Sequence, residues 1–339
     1  MSNIKWWVVA SMIRKHVGIE KYTRLQSWLK YMQRFHGFYH HGGKPTQFKK
    51  QTYVFIIDGR TVHGGLSDRL RGAFSVYGYC KKYHKDFKIC WNFPFNLQDY
   101  LMPSSFDWRI DKSGLSFNLK DVDFKFFNTY TGLDGKTEDY YKLLESNKRE
   151  IHVYSNISIE EEHYHEYFSE LFVPSPAVEE FLCRCEKEIS GRYISVSFRF
   201  IGLLGDFKDD VRWLRLNNEM NNDFYINKCL GFIQKLHLEY PQYTILVTAD
   251  SILFLEEAKK LSYVYVIPGN MAHMDYSDQD ASTTYLKSFV DFMMISHADR
   301  CFTYCVGNMF KLSRFAKTAA MIGSKDFEMV IEDVTNIIE

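Results

Sequence analysis

The chain has 339 residues, 46% of them hydrophobic and 25% charged, proportions that exclude a disordered protein. Its length exceeds what one core supports and predicts two domains of roughly 150 residues each. Equal numbers of basic and acidic residues, 42 of each, argue against a dedicated nucleic-acid binder.

No signal peptide is visible and no apolar run reaches transmembrane length. Seven cysteines without disulfide-framework or double-CxxC spacing point to a reducing, cytoplasmic setting.

Residues 1–50 are predicted to form an N-terminal helical segment, with Leu25, Trp28, Leu29 and Met32 at helical spacing. Trp6 and Trp7, flanked by Lys5 and Arg14, would suit the inner face of a membrane. A helix packed on its own domain is the favoured reading, and peripheral membrane contact the alternative. His36, His40 and His41 sit in a glycine- and proline-rich loop with no carboxylate or cysteine at ligand spacing, so a solvated loop is expected and no metal site.

Tyr53–Asp58 reads as a buried strand, followed by a paired-glycine loop, Gly59–Gly65, and a helix to about Tyr83 capped by Ser67 or Asp68. Phe87–Trp91 is the next strand, and a strand–helix–strand unit of this kind implies a parallel sheet. Strand, glycine loop and helix start present backbone N–H groups and a positive dipole end to an anion. Arg69 and Arg71 add charge beside it. Residues 92–150 have weak periodicity, and Asp121-Val122-Asp123 within them reads as a solvated turn. Ile151–Tyr154 is a further strand.

Pro174-Ser175-Pro176 separates an N-terminal α/β domain (51–173) from a C-terminal one (174–339). The latter predicts helices at 177–190, 222–239, 251–261, 284–296 and 308–320, alternating with strands at 193–198, 243–248, 263–267 and 300–304. The predicted fold is α/β, two Rossmann-like doubly wound domains facing a cleft.

Ligands of such sheets bind at the carboxyl ends of strands. Arg199 ends one strand and suits a diphosphate, although pairing with Asp206 or Asp209 would serve it equally well. Asp250 and Ser251 end the next, where a plain helix cap is the alternative. Gly307-Asn308 forms a second glycine turn into a helix, with Lys311, Ser313 and Arg314 expected just inside it.

Gly64-Gly65-Leu66-x-Asp68-Arg69-Leu70-Arg71-Gly72 after its strand resembles the first-loop motif of the GT-B fucosyltransferase-like superfamily. That superfamily includes the α-1,2-, α-1,6-, nodulation and protein O-fucosyltransferases. Ser195–Arg199 with Gly205-Asp206 is similar to their His-x-Arg…Gly-Asp segment. Thr248–Ser251 is similar to their Thr/Ser-Asp-Asp/Ser segment, and Ser288–Asp291 through Asp299, with the helix from Asn308, to their final donor motif. The resemblance spans about residues 53–320. Where the family has a histidine two residues before the arginine, this chain has Ser197. Its last glycine turn reads Asn308-Met309 in place of the usual serine.

The resemblance implies an inverting, metal-independent glycosyltransferase without cofactor. GDP-fucose would be the donor, and a glycan or lipid-linked saccharide of surface polysaccharide synthesis the acceptor. Arg199 would neutralise the diphosphate, Asp250 and Ser251 would meet the guanosine, and Ser313 with Gly307 and Asn308 would support phosphates. Gly64, Gly65, Arg69 and Arg71 would complete the donor site, with the acceptor against loop 63–71. Asp68, then His63, are the candidates for receiving the acceptor proton. Another nucleotide sugar, or a non-catalytic carbohydrate- or nucleotide-binding protein on the same fold, is the alternative. Gly-x-Gly-x-x-Gly, a Walker A sequence and a nucleophile-elbow serine are absent, which disfavours dehydrogenases, P-loop enzymes and serine hydrolases.

Overall fold

The computed structural model describes residues 35, 37–127, 131–206, 222–269 and 282–333. The expected N-terminal helix with its tryptophans, and His36, lie outside the described residues.

Two parallel sheets organise the chain. The first contains β1 (Thr52–Ile57), β2 (Asp86–Trp91), β4 (Val122–Phe127) and β5 (Glu150–Ser155) in the order β2-β1-β5-β4. A short antiparallel pair, β3 (Leu101–Pro103) and β6 (Phe172–Pro174), stands apart from it, so the expected boundary at residue 174 falls on β6. The second sheet contains β7 (Tyr193–Phe198), β8 (Thr244–Ala249), β9 (Val264–Tyr265), β10 (Arg300–Val306) and β11 (Asp326–Glu332), in the order β11-β10-β7-β8-β9. Every pairing in both large sheets is parallel.

Helices cover the sheets: α1 (Leu66–Lys82), α2 (Thr137–Leu144), α3 (Tyr164–Leu171), α4 (Pro176–Ile189), α5 (Asn222–Glu239), α6 (Ile252–Ala258), α7 (Ser282–His297) and α8 (Phe315–Ile322). Among the described residues no helix is long and apolar enough to cross a membrane.

β1 has no exposed residue, as expected of a central strand covered on both faces. α1 presses against β5 at Gly72, where an added Cβ would lie 2.0 Å from the Ser155 carbonyl oxygen. One apolar cluster then runs from this half into the other. It joins Phe55, Phe74 and Ile151 to Val178 and Leu182 of α4 and to Phe289, Met294 and Ile322 of α7 and α8. Tyr100 stacks on Phe289 with ring centroids 4.7 Å apart, and Phe95 meets Tyr285 at 4.8 Å. Glu161 ion-pairs with Arg314 and Lys317 at 2.7 Å each. The junction between the halves is therefore packed and charge-paired.

Several elements differ from expectation, and β3, α2, α3 and β6 fall where no element was predicted. Gly65, not Ser67 or Asp68, is the N-cap of α1; Asp68 lies three residues in and reaches back to the Gly65 N–H. Asp121-Val122-Asp123 is no solvated turn: Val122 and Asp123 open β4, and Asp123 pairs with Lys125 at 3.0 Å. The helix expected from Asn308 starts at Phe315, because the Phe310 N–H donates to the Arg199 carbonyl and holds the chain as a loop across β7. β11 was not expected. It is an edge strand of alternating exposure whose polar residues conceal it.

Candidate functional site

The carboxyl edge of the first sheet carries the glycine loop. Gly59 and Gly64 have φ of +77° and +80°, which a β-carbon would strain, and a Cβ on Gly64 would lie 2.6 Å from Asp68 Oδ2. Asp68 is held from both sides. Oδ2 accepts from the Gly65 N–H at 3.1 Å, and Oδ1 pairs with Arg71 Nη2. Its side chain still keeps 33% of its surface in solvent.

The two arginines point inward. Arg69 is fully buried: its Nε donates to the Gly64 carbonyl at 2.9 Å, Nη1 donates to the Phe93 carbonyl at 2.7 Å, and the guanidinium lies over Trp91. Arg71 is also buried, its Nε on the Ser67 carbonyl and its Nη1 without a hydrogen-bond partner among the described residues. In this conformation they brace the loop.

His63 is buried too, and its Nε2 accepts from the Gly59 N–H at 3.3 Å. Burial, reinforced by the Arg69 charge, holds it well below the ordinary histidine value, so the imidazole is neutral.

Behind the loop runs a buried polar chain that sequence reasoning missed. Arg60 pairs with Asp58 at 2.8 Å and donates to the Tyr154 hydroxyl. Tyr154 meets Tyr39, Tyr39 meets His152 Nδ1 at 2.8 Å, and His152 Nε2 meets Glu150 at 2.7 Å. Its members are scattered between residues 39 and 154, and only the alternate positions 150, 152 and 154 of β5 hinted at a shared face.

The carboxyl edge of the second sheet gathers the other candidates. Arg199 follows β7, and its Nη1 lies 3.2 Å from Asp250 Oδ2 with 27% of the side chain exposed. Asp250 is buried, and its two oxygens accept from the Phe200 and Ile201 N–H groups at 2.7 and 2.8 Å. The Arg199 loop is thus clamped onto the end of β8. Ser251 caps α6, accepting from the Phe254 N–H at 3.1 Å and donating to Asp206 Oδ2 at 2.9 Å. Asp206, expected from the sequence either in the Gly205-Asp206 motif or as a partner for Arg199, accepts also from the Leu253 N–H. Asp209 lies outside the described residues.

Gly307, at φ +56°, turns the chain after β10. Asn308 is exposed, Met309 buried, and Phe310 is bonded to the Arg199 carbonyl. Ser313 sits in the loop before α8, not inside a helix, and Arg314 is turned to Glu161.

The structure therefore brings the site candidates together in two sets. His63, Gly64, Gly65, Asp68, Arg69 and Arg71 lie at the edge of the first sheet. Arg199, Asp250, Ser251, Gly307 and Asn308 lie at the edge of the second. Among the described residues no three His, Cys, Asp or Glu side chains converge as a metal-binding group. The seven cysteines are free thiols, mostly buried.

No family model matches the chain, and no curated protein matches it. Solved structures do. Arabidopsis thaliana FUT1, as a variant in complex with GDP, superposes with a TM-score of 0.51 at 11% identity, covering 90% of this chain and 74% of its own. The fucosyltransferase NodZ from Bradyrhizobium gives 0.51 at 13% identity, covering 85% and 97%. NodZ α-1,6-fucosyltransferase soaked with GDP-fucose gives 0.50 at 12%, covering 81% and 93%. At such identities the likeness is one of fold alone: the chain has a two-sheet α/β architecture of the GT-B type, like that of these fucosyltransferase structures.

Proposed function

We propose that the protein is a glycosyltransferase that binds a GDP-sugar, GDP-fucose first among them, at the carboxyl edge of the second sheet. One observation carries this reading: Arg199 is oriented by Asp250 and partly exposed at the end of the central strand. It stands there in a fold shared with proteins crystallised with GDP or GDP-fucose. A guanidinium fixed before the reaction stabilises charge on the departing diphosphate without reorganising.

Ser251 and the Gly307-Asn308 turn flank that position, and Ser313 is the next hydroxyl along the chain. Asp250 spends its carboxylate on the Arg199 loop, so its service to a nucleotide runs through Arg199. The acceptor hydroxyl would attack the anomeric carbon from the opposite face and invert it, with GDP as leaving group. Asp68, partly exposed and held by two partners, would receive the hydroxyl proton or its hydrogen bond. His63, neutral but buried with Arg69 beside it, is the weaker candidate. Arg199 and the backbone N–H groups would supply charge stabilisation without a metal. The setting would be cytoplasmic, at the inner membrane face if residues 1–35 dock there, in surface polysaccharide assembly.

The full engagement of Asp68 and the burial of Arg69 and Arg71 favour one rival, a sugar- or nucleotide-binding protein that does no chemistry. Thermal shift against GDP, UDP, CDP and their sugars, with EDTA present, is the test. Ligand at about 100 times its dissociation constant adds about 2.7 kcal/mol. Stabilisation by GDP species that is lost in Arg199→Ala is expected. Stabilisation by UDP or CDP species would replace the donor, and no response to any nucleotide would overturn the transferase. Turnover of bound GDP-fucose separates the enzyme from the non-catalytic rival.

A further inference from the structure

Beside the glycine loop, at the carboxyl end of β2, lies a depression of about 560 Å³ that no step above uses. That volume is within the range of about 300–1,000 Å³ typical of small-ligand sites. It opens between the end of β2, the turn at 96–99, and the segment 108–112, which runs beside β2 and is bonded to it through the Ile89 N–H and the Trp108 carbonyl. Its wall holds the indoles of Trp91 and Trp108, both buried. Its rim holds three side-chain amides, Asn92, Asn96 and Gln98.

Its charges cancel. Asp99 and Asp111 are balanced in number by Arg109 and Lys112, and Arg109 is already paired with Asp107 at 2.8 Å. That leaves no cationic surplus for a phosphate. Amides donate and accept at once, and at the mouth of a depression whose indoles are themselves buried they match a ligand of neutral hydroxyl groups held by hydrogen bonds.

The depression is tied to the first candidate loop. The Phe93 ring lies on Gly59, within 2.8 Å of where a Cβ would stand, and the Phe93 carbonyl accepts from Arg69. A ligand seated there would lie on the same sheet edge as Asp68.

We infer that this depression is a subsite for a neutral saccharide, the part of an acceptor glycan extending away from the reacting unit. Its assignment to the acceptor rests on the transferase reading; its chemistry as a saccharide site does not.

The Trp91 indole N–H is buried in the wall and bonded to no atom among the described residues, so its resonance is a sensitive reporter of occupancy. The experiment is a 1H–15N spectrum of the six indoles, with Trp91 assigned through Trp91→Phe. Chitotetraose, cellotetraose and mannotetraose are titrated to millimolar concentration, and inorganic phosphate is run beside them.

At least one tetrasaccharide is expected to shift the Trp91 resonance saturably, and phosphate is not. Asn96→Ala/Gln98→Ala, both at exposed positions, should weaken that binding about tenfold. No shift with any of the three, equal binding by the double variant, or an equal response to phosphate would overturn the inference. GDP stabilisation of the double variant is measured in parallel and should match that of the unaltered protein. If GDP fails with both proteins while the tetrasaccharide binds, the transferase reading falls and the saccharide site stands.

Discussion

Gly64 and Asp68 occupy each other's space, and the left-handed turn at Gly64 exists to let the carboxylate reach back to the helix start. Gly64→Ala adds a Cβ to a φ of +80° and drives it into Asp68, so it should cost about 1–3 kcal/mol. Urea denaturation measures that loss, and a cost near zero would mean the loop is free to move. His63 carries a second residue-level consequence. Burial, with Arg69 for His63, lowers the ordinary values of both His63 and His152. The unfolded chain binds protons at these imidazoles below a pH of about 6.5, where the folded chain does not. Stability therefore falls as pH drops through that value toward the folded values, and is full above it. His63→Gln should flatten this loss between pH of about 7.5 and about 5.5. An unchanged slope of urea midpoint against pH would show that His63 is already protonated when folded.

Among the elements, α1 is the one the site depends on most, since its first turn forms the glycine-loop edge and its middle touches β5. Gly72→Ala would place a Cβ 2.0 Å from a backbone oxygen that cannot swing aside. The expected cost is about 3 kcal/mol or more, and a shift in the urea midpoint with unchanged slope would record it. This strand–loop–helix unit was legible in the sequence, because a fully buried strand is an unbroken apolar run and paired glycines mark the turn. α5 was legible to its ends, Asn222 and Glu239. The start of α8 was not: one hydrogen bond from Phe310 to the Arg199 carbonyl, across more than a hundred residues of chain, decides it. β4 was hidden behind an Asp-x-Asp spelling and β11 behind its polar edge. Sequence position put Arg69 and Arg71 near the loop. It could not say that Gly64 and Phe93 carbonyls would draw Arg69 inward, a preference set only by the packed fold. The place of Arg199 at the carboxyl end of β7 was legible because a strand end is readable; the clamp that Asp250 makes on its loop was not, because those hydrogen bonds are non-local.

At the scale of the molecule, one apolar cluster spans both sheets, beside a second cluster confined to the C-terminal half, so the halves should unfold together. Fluorescence and circular dichroism transitions are expected to coincide, and two separated transitions would contradict a shared core. Glu161 pairs with Arg314 and Lys317 across the junction, but all three side chains are partly exposed. Glu161→Ala should therefore lower stability by only about 1 kcal/mol. Phe289→Ala, which strips the aromatic stack at the same junction, should cost about 3–5 kcal/mol. The ranking of those two variants in one denaturant series checks whether packing or charge holds the halves together.

On the reading proposed above, a nucleoside diphosphate sits on Arg199 at the carboxyl edge of the second sheet. A crystal structure of the protein with GDP tests it directly. Diphosphate oxygens are expected within hydrogen-bond distance of the Arg199 guanidinium, with the Asp250 clamp intact and the Gly307-Asn308 turn beside the nucleotide. GDP bound at the glycine loop of the first sheet, or away from Arg199, would contradict it.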